Sequence, residues 1–305
     1  MGKPASDIWG INYTLLTVRK TAERIFLIMT AEKKNYLTGK AREIRRLTLQ
    51  CIGSIGIGHV GGSLSIAELL AVLYFDKMRV RPEDPQWKER DKLVLSKGHA
   101  GPALYSTLSM KGYFPEEMLF TLNKPGTSLP SHCDMRKTPG IDMTTGSLGQ
   151  GASTAVGLAL AQRLDGTDAR TFVVFGDGEI QEGQVWEAMM FAAHRNLSNL
   201  TAIVDYNNMQ IDGTTDEICS LRTLTDKFRS FGITPYEADG HDPESLSDAL
   251  DLAIHDGKPS VVVMNTVKGR GVSEFEGKRS SHNAAVTEEI LRKCLSELDG
   301  KEAEA

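Results

Sequence analysis

The sequence predicts an α/β fold: a parallel sheet with helices on both faces. Three observations carry this. Several short runs are continuously apolar and rich in β-branched residues: Phe172-Val173-Val174-Phe175, Leu200 to Val204, and Pro259 to Val267. Runs of that length without alternation are buried on both faces, as parallel strands are. Between the first two lies a segment with Val185, Met189, Ala192 and Ala193 at helical spacing. Strand, helix, strand forms one crossover and leaves both strand ends on the same edge. Glycine turns then follow the strands directly, as in Gly176-Asp177-Gly178 and Lys268-Gly269-Arg270-Gly271. Open α/β sheets bind their ligands at those strand ends.

The chain of 305 residues, 40 % apolar and 25 % charged, can bury the core of one large domain. Its net charge of −5 points to neither nucleic acid nor an anionic membrane as partner. Cys51, Cys133, Cys219 and Cys294 form no CxxC pair and read as reduced thiols of a cytoplasmic protein. No apolar run approaches the roughly 20 residues of a membrane span. Residues 1–36 read as an N-terminal extension, disordered or contacting a partner, ahead of a domain at 37–305. Met1-Gly2 with Ser6 fits a myristoylation pattern by letter alone, and residues 17–30 lack the layout of a signal peptide. A natural start at Met29 stays open.

Taken in order, Ile44, Leu47, Cys51 and Ile55 mark a helix from Leu37 to Ile55. Gly56-Ile57-Gly58-His59-Val60-Gly61 is a literal GxGxxG. A dinucleotide fingerprint needs a strand before it, and here a helix precedes it, so a nicotinamide site is disfavoured. Ser65 to Met78 is expected as one helix, with Ser65 as N-cap and Glu68 completing a capping box. Arg81 to Pro85 is a polar connection. Asp91 to Ser96 reads as a strand leading into Lys97-Gly98-His99, where a helix N-terminus favours phosphate. Gly112 to Gly140 is irregular, with a short helix near Pro115 to Leu122. Gly146, Gly149 and Gly151 precede a small-residue helix, Ala152 to Leu164, and imply close backbone approach to a flat or anionic group. Beyond the second apolar strand, Leu221 to Gly232 is helical and Thr234 to Asp239 a strand. His241-Asp242-Pro243 caps a helix from Glu244 to His255. After Val267 come a glycine loop, Ser281-His282 and a terminal helix.

Asp177 and Asn207 end adjacent strands although 30 residues apart. A carboxylate and an amide oxygen converging there suit a hard cation such as Mg²⁺, which completes its octahedron with phosphate and water oxygens. The backbone carbonyl of Met209 is a candidate third ligand. An ordinary β-α-β unit whose GDG is only a turn remains the alternative.

GDG, 28 residues, then Asn207-Asn208 resembles the motif of thiamine diphosphate enzymes, and QEGQVWEA with NNMQIDG resembles the transketolase version. The resemblance runs from Leu37 to the end. GHVGGSLS is similar to the family's GHPGAPLG loop with Val60 for proline, and SKGHAGPALY to its SxGH segment. Leu129-Pro130-Ser131-His132 partly matches GHPE. TTGSLGQG resembles TTGPLGQG, and VKGRGV before His282 resembles VK-x-x-G…HG with Asn283 for glycine. The resemblance implies thiamine diphosphate with Mg²⁺ (or Ca²⁺ or Mn²⁺) held by Asp177, Asn207 and Met209. It implies cofactor contacts from His59, His99, Gly146, Ser147, Leu148, Gly176, Asp177, Gly178, Glu179, Asn207 and His282. His59, His132 and His282 take catalytic roles at the substrate.

The implied reaction moves a two-carbon ketol unit between sugar phosphates, as in the pentose phosphate pathway. Family enzymes carry a further pyrimidine-binding domain with an activating glutamate, and only 23 residues follow His282. The expectation is therefore the N-terminal subunit of a split transketolase. A partner chain brings that glutamate in an α2β2 assembly, with Glu182 and Glu187 at the interface. Rival readings are the alpha subunit of a 2-oxo acid dehydrogenase and a non-catalytic cofactor-binding homologue.

Overall fold

Continuous burial along apolar strands organises the molecule. The computed structural model describes residues 29–300, and before them the backbone of Val18–Thr21 and Arg24–Leu27, paired as an antiparallel hairpin. The expected extension at 1–36 therefore lies largely outside the described residues, as does the Met1-Gly2 pattern. Five strands pair in parallel: β1 (Lys92–Leu95), β2 (Thr171–Gly176), β3 (Leu200–Tyr206), β4 (Thr234–Asp239) and β5 (Ser260–Asn265). Their spatial order is β1-β2-β3-β5-β4. Val174 stands opposite Leu95 on one side and Ile203 on the other. The helices are α1 (Ala31–Gly53), α2 (Val60–Leu64), α3 (Ala67–Val72), α4 (Gly101–Lys111), α5 (Gln150–Leu164), α6 (Gly183–His194), α7 (Thr215–Cys219), α8 (Leu224–Ser230), α9 (Pro243–His255) and α10 (Glu288–Leu298).

Alternate residues of each strand enter two separate cores. Phe172, Val174, Ile203 and Val262 pack with apolar residues of α1, α3, α4 and α9. Val173, Phe175, Val204 and Val261 pack with those of α5, α6 and α8. Helices therefore cover both faces, as expected of a parallel sheet. Helix α1 starts at Ala31, where the Thr30 hydroxyl accepts the Lys33 N–H at 3.2 Å. Among the described residues no helix is long and apolar enough to cross a membrane.

Two local readings change. The Ser65–Met78 helix is broken: α2 ends at Leu64, α3 begins at Ala67, and a π-helical turn follows at Leu73–Lys77. Ser65 is no N-cap, because its hydroxyl donates to the buried Asp205 at 2.7 Å. Glu68 makes no capping box, because Arg45 holds both its oxygens. The glycine motif at 56–61 follows α1, and its Ile57–Gly58 pairs antiparallel with Ala284–Ala285, which is no dinucleotide unit.

Helix α5 is pressed onto the end of β1. A Cβ at Gly151 would stand 2.5 Å from Ser96 Cβ and 2.8 Å from its backbone Cα, whereas one at Gly157 meets nothing within 4 Å. Gly151→Ala is expected to cost about 1–3 kcal/mol in urea unfolding, as overpacking does. Gly157→Ala, in the same helix, is expected to gain up to about 1 kcal/mol. Equal effects at the two positions would contradict this packing.

Candidate active site

The C-terminal ends of β1, β2, β3 and β5 converge on one edge. From β1 come Lys97 and His99, from β2 Asp177, from β3 Asp205 and Asn207, and from β5 Thr266 and Lys268. Loops bring His59, His132 and His282 over them. Ring centroids of His59 lie 5.3 Å from His99, 5.5 Å from His132 and 5.3 Å from His282, and His99 lies 5.2 Å from His282. Four histidines distant in sequence thus form one cup.

Asp177, 2 % exposed, accepts the Gly178 N–H at 2.8 Å through Oδ1 and the Asn207 N–H at 2.9 Å through Oδ2. The two residues expected to meet do so through the Asn207 backbone N–H. Asn207 Nδ2 points to Asp205 at 3.4 Å, and Oδ1 accepts the Met209 N–H at 3.1 Å, keeping a lone pair free. Asn208 turns the chain with φ +57°. Burial, and then the charge of Asp205, push the Asp177 carboxyl up to about 6. Its hydrogen bonds are to backbone N–H groups, and among the described residues no cationic side chain forms an ion pair with it. Asp177, the Asn207 amide oxygen and the Met209 carbonyl are a fitting donor set for a hard divalent ion.

Asp205 is different. Lys97, 1 % exposed, donates to it in a buried ion pair, joined by Ser65 and by Thr266 at 2.5 Å. Lys268, 4 % exposed, places Nζ 3.2 Å from His282 Nδ1. An ammonium only donates, so that ring proton sits on Nε2. Burial first, and then Lys268, lower His282 to about 4. Burial lowers His59 and His132 as well, and His99 falls well below the ordinary range through burial and then Lys97. The cup is neutral near pH 7 and backed by two lysines, an arrangement that accepts an anion without repelling it.

Glycines let the backbone segments beneath the cup pack closely. A Cβ at Gly61 would stand 2.9 Å from Lys268 Cγ, and one at Gly98 2.6 Å from Thr145 Oγ1. Gly146, with φ +148°, lies against the His132 ring, and Ser147 and Leu148 are exposed at the rim. Gly176 and Gly178 flank Asp177. Glu179, expected at the cofactor, is turned into the protein. Its carboxylate accepts from Ser96 at 2.5 Å, Gly149 N at 3.0 Å and Gly176 N at 3.1 Å, fastening three loops. Glu182, beside α6, and Glu187, on it, are exposed, and the Glu182 side chain lies next to Gly149. Lys97, Lys268, Asp205, Ser65 and Thr266 were missed from sequence. The one signal for the two lysines is their place at a strand exit inside a glycine motif. A concavity of about 730 Å³, lined by Arg79, Arg163 and Arg170 among others, lies at the opposite, N-terminal ends of the strands. The convergence of titratable groups, not volume, marks the site.

Residues 38–302 match the family of the transketolase thiamine diphosphate-binding domain. The chain belongs to the transketolase family. It is 55 % identical over 270 residues to a 6-deoxy-6-sulfo-D-fructose transketolase subunit of Clostridium sp. (strain MSTE9), covering 88 % of this chain and 98 % of that protein. It is 38 % identical to an apulose-4-phosphate transketolase subunit of Phocaeicola vulgatus, covering 83 % of this chain and 90 % of that one. The transketolase from Leishmania mexicana superposes with a TM-score of 0.83 at 33 % identity, covering 88 % of this chain and 42 % of that one. This chain is thus an enzyme subunit of transketolase type carrying the thiamine diphosphate-binding domain, and it spans under half of that solved transketolase.

A neutral His282 ties stability to pH. Its folded value, about 4, lies below the ordinary value near 6.5 of an unfolded chain. The unfolded state therefore binds the proton more tightly, and the stability present above pH 6.5 is lost as pH falls towards 4. His282→Gln cannot take that proton and is expected to lose less stability than the wild type between pH 7 and 4.5 in urea unfolding. Equal losses would show that the ring is not held neutral.

Proposed function

We propose that this chain is the cofactor-binding subunit of a two-chain, Mg²⁺-dependent transketolase. It transfers a two-carbon ketol unit from a ketose with an anionic tail to an aldose phosphate. One observation carries this: Asp177 and Asn207 meet at adjacent strand ends beneath four neutral histidines. Asp177, the Asn207 amide oxygen and the Met209 carbonyl hold Mg²⁺ and, through it, the diphosphate. Lys268 and His99 face the anion, and Gly146, Ser147 and Leu148 flank the cofactor rings. Thiamine diphosphate supplies the carbanion chemistry. His59, His132 and His282, uncharged near pH 7, donate to and accept from sugar hydroxyls and orient the reacting carbons.

The relative with 55 % identity, named for 6-deoxy-6-sulfo-D-fructose, supports a sulfonated ketose as donor, with a ketose phosphate as the test's other arm. Subunit-named relatives of matching length support a separate chain that carries the pyrimidine domain and its glutamate. Beside Glu182 and Glu187, Met190 and Phe191 are 56 % and 44 % exposed, an apolar face suited to that partner. Closed symmetry favours α2β2. Four free thiols support a cytoplasmic setting.

The test combines this chain with candidate second chains, Mg²⁺ and thiamine diphosphate, and assays two-carbon transfer from 6-deoxy-6-sulfofructose, fructose 6-phosphate and pyruvate. Transfer from a ketose only with both chains present is expected, and pyruvate turnover would overturn the reading. Asp177→Asn is expected to weaken Mg²⁺-supported cofactor binding more than about tenfold, since even outer-shell changes at metal sites cost 10–100-fold. Calorimetry measures it. Wild-type binding should itself weaken below pH 6, as the Asp177 carboxyl takes its proton.

A further inference from the structure

A line of buried charge runs behind the site. Arg45 on α1 and Glu68 on α3 are 6 % and 7 % exposed and form two parallel bonds, Nη1 to Oε1 and Nη2 to Oε2, both 2.6 Å. Nη2 also donates to the Leu64 carbonyl at 3.3 Å. Glu68 Oε2 lies 3.2 Å from Nδ1 of His241, in the turn after β4. The other ring nitrogen, Nε2, accepts the backbone N–H of Val267 at 2.7 Å. Because Nε2 accepts, the ring proton of the neutral form sits on Nδ1 and is donated to Glu68.

Val267 leads directly into Lys268. On the other side of that lysine the Gly269 N–H reaches the Gly61 carbonyl at 3.0 Å. Two residues further, Gly271 crosses the arginine that begins the line, and a Cβ there would stand 2.8 Å from Arg45 Cδ. The segment Lys268-Gly269-Arg270-Gly271 is intrinsically free, with two glycines and a four-carbon ammonium stem. Yet Lys268 is 4 % exposed and its Nζ rests beside His282. Its own carbonyl accepts the Gly277 N–H at 2.8 Å, and the tethers on either side of it complete that order.

We infer that His241 is a positioning residue: held in one tautomer by Glu68 and Arg45, it fixes Val267 and so aims the Lys268 ammonium at the anion-binding part of the cup. The inference deepens the cofactor reading and rests on it for the identity of the anion. His241 touches neither cofactor nor substrate and acts through Lys268.

The test uses the full chain with Mg²⁺ and two probes, thiamine diphosphate and inorganic pyrophosphate, measured by calorimetry well below the melting temperature. His241→Phe, which removes both ring contacts, is expected to weaken binding of each probe about tenfold, the scale of one charge-assisted hydrogen bond. Lys268→Met should weaken it to the same extent, and the double variant no further, the signature of two residues acting as one. His241→Gln, whose side-chain oxygen can accept the Val267 N–H, should stay within about twofold of the wild type. Additive losses, or a His241→Phe protein that melts earlier yet binds pyrophosphate normally, would overturn the inference.

A second readout needs no cofactor. In the wild type His282 titrates near 4, partly because Lys268 is beside it. Followed by NMR, this titration should move up in His241→Phe as in Lys268→Met, and an unmoved His282 overturns the positioning role. Should the wild type bind neither probe while His282 moves, the positioning role is supported and the cofactor reading fails.

Discussion

The architecture of the site depends on one buried carboxylate. Asp205, fully buried, takes Lys97, Ser65 at 2.7 Å and the Asn207 amide at 3.4 Å on one oxygen, and Thr266 at 2.5 Å on the other. Those groups come from the exits of β1, β3 and β5 and from the turn between α2 and α3. A charge so deep costs several kcal/mol unless it is paired and fully hydrogen-bonded. Burial alone would push this carboxyl up; Lys97 and the hydroxyl donors outweigh it and hold it below the ordinary range. Asp177 has no such cation, and burial together with its neighbour's charge drives it the other way. Of these two aspartates, one is paired with a lysine of the protein and the other is not.

The sheet was legible because parallel strands are buried on both faces, and a run such as Phe172 to Phe175 has no amphipathic alternative. The convergence of Asp177 with Asn207 followed from topology, since one crossover returns both exits to the same edge. The reading failed where a local rule met a distant partner. Ser65 and Glu68 have the spacing of a capping box, but Asp205 and Arg45 compete for them and win, and the helix breaks there. Lys97 was passed over because a lysine is ordinarily solvated; its counter-charge lies 108 residues away, a separation no local window contains. For Glu179, implied at the cofactor by the resemblance, only the positions of Ser96 and Gly149 show the protein groups that its carboxylate fastens.

Electrostatically the site separates two tasks. Lys268 at the back of the cup carries its charge beside His282, whereas that of Lys97 is compensated by Asp205. The imidazoles in front stay neutral, and neutral rings can both donate and accept. Were all four protonated, the cup would repel itself over centroid distances of 5.2 to 5.5 Å. Burial thus keeps the rings versatile, and the lysines reinforce it by making each added proton costlier.

Glu179 has a consequence for recombination among homologues. One carboxylate clasps the segment after β1, the glycine loop before α5 and the end of β2, so these three pieces share a single fastening. A chimaera that exchanges the 143–151 loop alone must still present an N–H where Gly149 now does. Crossover points that keep Ser96, Gly149 and Glu179 from one parent preserve that fastening, and those that divide them do not.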